Sequence, residues 1–171
     1  MSPVSSAHVL DIISHSVAQT QRLGARLGKL ARSGDVICLE GDLGSGKTCF
    51  VQGLGRGLAI AEDINSPTFI LANEHRGARL TLYHLDAYRI HSANEALGIG
   101  LDDYLSGDGV CAIEWAEKIR AVLPAEHLWI TFRHLGECKR GLLIEGSGAR
   151  YLELLRAFKA SAFGGRDVTR D

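Results

Sequence analysis

Val36-Ile37-Cys38-Leu39-Glu40 runs directly into Gly41-Asp42-Leu43-Gly44-Ser45-Gly46-Lys47-Thr48. Val36 to Leu39 are wholly apolar, as in a strand covered on both faces. Gly41 to Thr48 satisfy G-x-x-x-x-G-K-[ST] in full, and Lys47 to about Leu58 reads as a helix. Strand, glycine turn and helix in that order is the context the motif requires. Glycines let successive backbone N–H groups turn inward around an anion, and a helix N-terminus adds partial positive charge. The stretch therefore predicts a P-loop that cradles the phosphates of a nucleotide. Its contacts are expected from Gly41, Asp42, Leu43, Gly44, Ser45, Gly46, Lys47 and Thr48, with Cys49 adjoining. In such a loop the lysine meets the β- and γ-phosphates and the Thr48 hydroxyl faces Mg²⁺.

Upstream, Leu23, Leu27 and Leu30 recur at helical spacing between Ser16 and about Ala31, and Ser33-Gly34 ends that helix. Arg22, Arg26 and Lys29 form a stripe on a neighbouring face, expected to be a solvated helix face, with an RNA-facing or partner-facing surface as the alternative. Downstream, Pro67 disfavours helical geometry at Ser66. Thr68 to Leu71 and Leu80 to Leu85 are predicted as antiparallel strands joined by a turn at Arg76-Gly77-Ala78. Ser92 opens a short helix through Leu97, and Asp102 to Leu105 adds another turn. Val110 to Ile113 is a second apolar strand, ending at Glu114-Trp115. The glycine-rich Leu105 to Gly109 is a loop, since it enters a strand rather than opening a helix. Strands at Leu128 to Phe132 and Gly141 to Glu145 precede a last helix from about Arg150 to Ala160. Residues 1–161 are expected to form a single P-loop ATPase domain, with a flexible tail over 162–171.

The 171 residues are 46% apolar, enough for one sizeable core, and 19 basic residues balance 20 acidic ones. Such a chain lacks the strong overall positive field of an independent nucleic-acid binder. Its four cysteines, Cys38, Cys49, Cys111 and Cys138, are scattered without metal or disulfide spacing and are read as reduced thiols. With no leader pattern and no long apolar run, the cytoplasm is the default address and no membrane contact is expected. Neither Asp-x-x-Gly nor Asn-Lys-x-Asp occurs, which disfavours GTP.

Hydrolysis of a phosphoanhydride needs charge neutralisation and a group that positions water. Asp86 and Glu114 are the candidate acids, each ending an apolar run, where ligands of open α/β sheets collect. If Leu80 to Leu85 runs antiparallel to the sheet, Asp86 reaches the site through the following turn instead. His84 is read as a core or hydrogen-bonded residue. Trp115 either packs near the nucleotide or belongs to the core. Arg89 either meets phosphate as a charge-stabilising arginine or, as the preferred reading, pairs with Asp86 or Glu95.

Four ordered segments carry a resemblance: the glycine loop, Ser66-Pro67-Thr68-Phe69, Tyr83-His84-Leu85-Asp86-Ala87-Tyr88-Arg89 and Ile113-Glu114-Trp115-Ala116-Glu117. Over about Thr20 to Arg140 the chain resembles the TsaE (YjeE) family of bacterial ATPases needed for threonylcarbamoyladenosine formation in tRNA. The resemblance implies that Thr48 and Glu114 bind Mg²⁺ and that Asp86 supports hydrolysis. Together with Lys47, these acids form the expected catalytic set. It also implies a nucleotide-sensing switch at Ser66-Pro67-Thr68 and adenine contacts near Thr20 and Arg140. Partners resembling TsaB and TsaD follow, with tRNA contacted indirectly or through that complex, and ATP hydrolysis permitting its turnover. Ala87 and His75 depart from the family's larger apolar and aromatic residues and predict looser packing there. The expected fold is α/β, a P-loop NTPase-like three-layer sandwich with a mixed central sheet flanked by helices. Two rivals remain, a small-molecule kinase and a nucleotide-gated adaptor.

Overall fold

The structure, a computed structural model, describes residues 8–67 and 72–164. Among the described residues seven strands form one sheet: β1 (Val9–Ser14), β2 (Val36–Glu40), β3 (Ala72–His75), β4 (Leu82–Asp86), β5 (Val110–Glu114), β6 (His127–His134) and β7 (Arg140–Ser147). The helices are α1 (Val17–Leu30), α2 (Lys47–Gly57), α3 (Ala93–Gly98), α4 (Leu101–Leu105) and α5 (Ala149–Phe163), with a 3-10 stretch over Ala116–Val122. Strand order is β1-β7-β6-β2-β5-β4-β3. The central strands β6, β2, β5 and β4 run parallel, whereas β7, β1 and β3 join antiparallel at the flanks. The expected mixed sheet flanked by helices is thus the fold.

Parallel strands with helices on both faces must be apolar on both faces. Val36 to Leu39 and Val110 to Ile113 are accordingly buried throughout. Leu27 of α1, Phe50 and Leu54 of α2, and Leu154 and Phe158 of α5 cover one side against Ile37, Leu39, Leu128 and Ile130. Ala96, Leu101 and Ile119 cover the other, against Val36, Cys38, Leu85 and Ile113. Each fully buried leucine or phenylalanine contributes about 1.5–3 kcal/mol relative to exposure.

Two glycines set how closely the first layer packs. A Cβ at Gly24 would collide with the Phe50 carbonyl, and one at Gly53 with the Gln21 carbonyl. The backbones of α1 and α2 therefore touch, and α2 is pinned directly behind the glycine loop. The Ser16 hydroxyl starts α1 by accepting the Gln19 N–H at 3.0 Å, a conventional cap. At the other end of the layer, Arg150 of α5 donates to both oxygens of buried Asp35, at 2.9 and 2.7 Å, just before β2.

Several boundaries differ from the sequence reading. β1 was not anticipated, because its pairing with β7 is a long-range contact without a local signature. Thr68 to Leu71 lies outside the described residues; the strand antiparallel to β4 begins at Ala72. α5 continues to Phe163, past the expected end at Ala160. Ala87 and His75, where looser packing was expected, are buried at 1% and 8% exposure.

Candidate functional site

Because β2, β4 and β5 are parallel, their carboxyl ends share one sheet edge. β2 leaves that edge into the glycine loop. Gly44 and Gly46 adopt φ of 75° and 106°, and the left-handed turn at Gly46 opens α2 without a side-chain cap. The first N–H groups of α2 have no partner within the helix, as at any helix start. Lys47, 4% exposed, donates from Nζ to the carbonyls of Gly41 and, at 2.9 Å, Asp42. The same nitrogen lies 4.3 Å over the Trp115 ring. Burial pushes the Lys47 pKa down, while the charge of Glu114 opposes that shift. A desolvated ammonium held by carbonyls and an indole face is well prepared to meet an anion.

The acids enter from the neighbouring strands. Asp86 stands opposite Glu114 in the β4–β5 register, so the parallel pairing delivers both to the loop without the detour an antiparallel strand would have needed. Glu114 is 3% exposed. Its Oε1 accepts from Thr48 Oγ1 at 2.9 Å, and its Oε2 lies 2.5 Å from His84 Nε2. Thr48 Oγ1 is also 2.8 Å from Ser66 Oγ, tying the Ser66-Pro67 segment to the same group. Asp86 accepts the Tyr88 N–H at 2.9 Å. Burial raises the Asp86 pKa, partly offset by that hydrogen bond. Trp115 has φ 58°, a left-handed turn that is uncommon for a bulky residue. Its ring sits 5.0 Å from that of Tyr88.

Loop and acids face a cavity of about 350 Å³, within the range of small-molecule sites. Leu43 to Cys49, Asp86, Glu114, Thr20 and Arg140 all line it. Gly41 and Asp42, expected among the contacts, do not line it: their carbonyls accept from Lys47 Nζ instead. Thr20 is buried and hydrogen-bonded to Ser14 at 2.7 Å, whereas Arg140 Nη2 donates to the Gly44 carbonyl at 3.2 Å. Arg89 lines the cavity too, and among the described residues it makes no ion pair with Asp86 or Glu95, contrary to expectation. Sequence reasoning missed Val17, Tyr88 and Cys138 as wall residues. Tyr88 lies inside the quoted Tyr83 to Arg89 segment, which was the available signal; Val17 and Cys138 offered none. It also missed His84 as the partner of Glu114.

The residues fit a magnesium-bound nucleotide. No group of three or more His, Cys, Asp or Glu that could hold a metal occurs among the described residues. A hydroxyl and a carboxylate 2.9 Å apart instead suit an ion that keeps its waters and takes its remaining oxygens from phosphates. Glycine turn, uncapped helix start and buried lysine are the donors that phosphate requires.

Fold and cavity together define an α/β protein in which a strand, a glycine loop and a helix open toward two strand-end carboxylates. Comparison with known proteins narrows this class. A family model described as threonylcarbamoyl adenosine biosynthesis protein TsaE matches residues 14–142. The chain belongs to the TsaE family, and its role lies in tRNA threonylcarbamoyladenosine biosynthesis. The tRNA threonylcarbamoyladenosine biosynthesis protein TsaE of Bacillus subtilis (strain 168) is 42% identical over 133 residues, 78% of this chain and 83% of that protein. Its namesake in Treponema pallidum (strain Nichols) is 43% identical over 132 residues, 77% and 97% of the two chains. A crystal structure of Bacillus subtilis YdiB superposes with a TM-score of 0.77 at 34% identity, covering 90% of this chain and 96% of that one.

Proposed function

We propose that this chain binds and hydrolyses ATP with Mg²⁺, and that hydrolysis permits turnover of a TsaB–TsaD-type complex that modifies the adenosine beside the tRNA anticodon. The observation that carries the nucleotide reading is the contact of Thr48 with Glu114 at the mouth of the glycine loop. It joins the residue a phosphate loop offers to a cation with a strand-end carboxylate distant in sequence. Thr48 and Glu114 are the proposed cation ligands. When bound, the cation neutralises charge on the β- and γ-oxygens.

The chain's own groups do the rest. Lys47 exchanges its carbonyl partners for phosphate oxygens, and the loop amides hold the phosphates in place. Asp86, half-buried beside Glu114, orients water and receives its proton. Thr20 and Arg140 mark the end of the cavity proposed for adenine. Hydrolysis by the isolated chain is slow, because a partner completes the site, as an arginine supplied in trans does for other phosphate-loop enzymes. Contact with tRNA runs through the complex, in keeping with a net charge of −1. A cytoplasmic setting suits the free thiols of Cys38, Cys49, Cys111 and Cys138.

Calorimetric titration with ATP, with and without Mg²⁺, tests the nucleotide reading. Wild type should bind more tightly with Mg²⁺, and Thr48→Val should lose that gain while keeping metal-free binding. Equal Mg²⁺ dependence in both proteins would refute the assignment of Thr48.

A further inference from the structure

We propose that His84 is a positioning residue, which from inside the sheet fixes Glu114 in the orientation that leaves Oε1 free for Thr48 and a divalent cation. The inference rests on the reading of Glu114 as a cation ligand and extends it one residue inward.

His84 is 0% exposed. Asp86 pairs with Glu114 and His84 with Ala112, so His84 lies one step back along β4, on the face that carries Glu114. The two carboxylate oxygens of Glu114 are divided between partners: Oε2 with His84 Nε2 at 2.5 Å, and Oε1 with Thr48 Oγ1 at 2.9 Å. Without a donor at His84 the carboxylate would be free to turn both oxygens toward Thr48, and its approach to a cation would no longer be fixed.

The other ring nitrogen supports this polarity. Nδ1 is buried and has no partner among the described residues. A proton there would be an orphaned donor, whereas a bare Nδ1 leaves only a weak acceptor unmatched. The hydrogen-bond network thus assigns the single imidazole proton to Nε2, donating to Glu114. Groups that hydrogen-bond a ligating carboxylate commonly change metal affinity by about 10–100-fold when removed.

The test measures Mn²⁺ binding by electron paramagnetic resonance in the presence of ADP, together with ADP affinity in EDTA, for wild type, His84→Leu, His84→Gln and Glu114→Ala. His84→Leu keeps bulk without a donor and should weaken Mn²⁺ binding by about 10–100-fold, with metal-free ADP affinity unchanged. His84→Gln, whose amide can donate from the same strand position, should recover most of the loss. The proposal is overturned if His84→Leu binds Mn²⁺ like wild type, or if His84→Gln is no better than His84→Leu. Loss of Mn²⁺ in Glu114→Ala but not in His84→Leu would overturn positioning alone. Retention of Mn²⁺ in Glu114→Ala would overturn the ligand reading and this inference with it. Should His84→Leu fail to fold, nitrogen-15 histidine spectra of the wild type decide: a proton on Nε2 supports the assignment, and a bare Nε2 overturns it.

Discussion

The two walls of the cavity are built by different means. One wall is backbone: Leu43 to Thr48 belong to one contiguous loop, and α2 behind them is locked to α1 where Gly24 and Gly53 let main chains touch. The other is side chain: Asp86, Glu114 and Trp115 come from two strand ends, and a few hydrogen bonds set where they point. A backbone wall has few alternative shapes, because moving it means breaking helix packing. A side-chain wall adjusts through single torsions. The difference teaches that anion binding and cation-dependent chemistry should be separable by mutation, and four experiments press on that separation.

The largest effect is expected at the side-chain wall. Glu114→Gln should lower ATP hydrolysis by about 10²–10³-fold, the scale of losing one electrostatic stabiliser, while leaving metal-free nucleotide affinity intact. Parallel hydrolysis and EDTA binding assays check it. If both fall together, the walls are not independent.

Next is the backbone wall. Gly53→Val would push a side chain into the Gln21 carbonyl, and overpacking of this kind costs about 1–3 kcal/mol, or roughly 2–12 °C in Tm for a chain this size. Thermal unfolding should show that loss, and nucleotide affinity should weaken with it as α2 shifts.

A smaller effect concerns pH. The Asp86 pKa is raised from its ordinary 3.8, mainly by burial. A carboxyl with a raised folded-state value contributes stability below its ordinary value and loses it as pH rises through the raised one. At neutral pH the charged form is therefore a burden in the ligand-free protein. Asp86→Asn should raise Tm near pH 7, and the gain should shrink on acidification toward pH 4, even though hydrolysis falls.

The smallest effect is chemical protection. Burial pushes the thiols of Cys38 and Cys111 up to about 12, whereas Cys138 is exposed at the cavity rim. Alkylation followed by peptide mass spectrometry should modify Cys138 first, and bound ADP should slow it.

The same contrast explains what could be read before folding. The backbone wall is a run of adjacent residues, so its loop, strand and helix were all visible in Val36 to Leu58. Asp86 and Glu114 were legible as strand-end acids, but their mutual placement depends on β4 pairing parallel with β5, which no local pattern encodes. His84 reads as core or hydrogen-bonded and is both; that its partner is Glu114 is a tertiary fact. β1 escaped for a related reason, since an edge strand closing against β7 across most of the chain has no nearby partner in sequence. Arg89 was expected to pair with a neighbouring acid, yet Asp86 already accepts the Tyr88 N–H and Glu95 the His91 N–H, the latter at 3.0 Å. Local turn and cap contacts engage both carboxylates.

The decisive measurement is phosphate release from ATP and Mg²⁺ by wild type and Lys47→Ala, each alone and with TsaB and TsaD counterparts plus tRNA. Release should be weak for the wild type alone, rise with the partners and vanish in the variant. Release that ignores the partners, or that survives in Lys47→Ala, would contradict a partner-activated ATPase built on this loop.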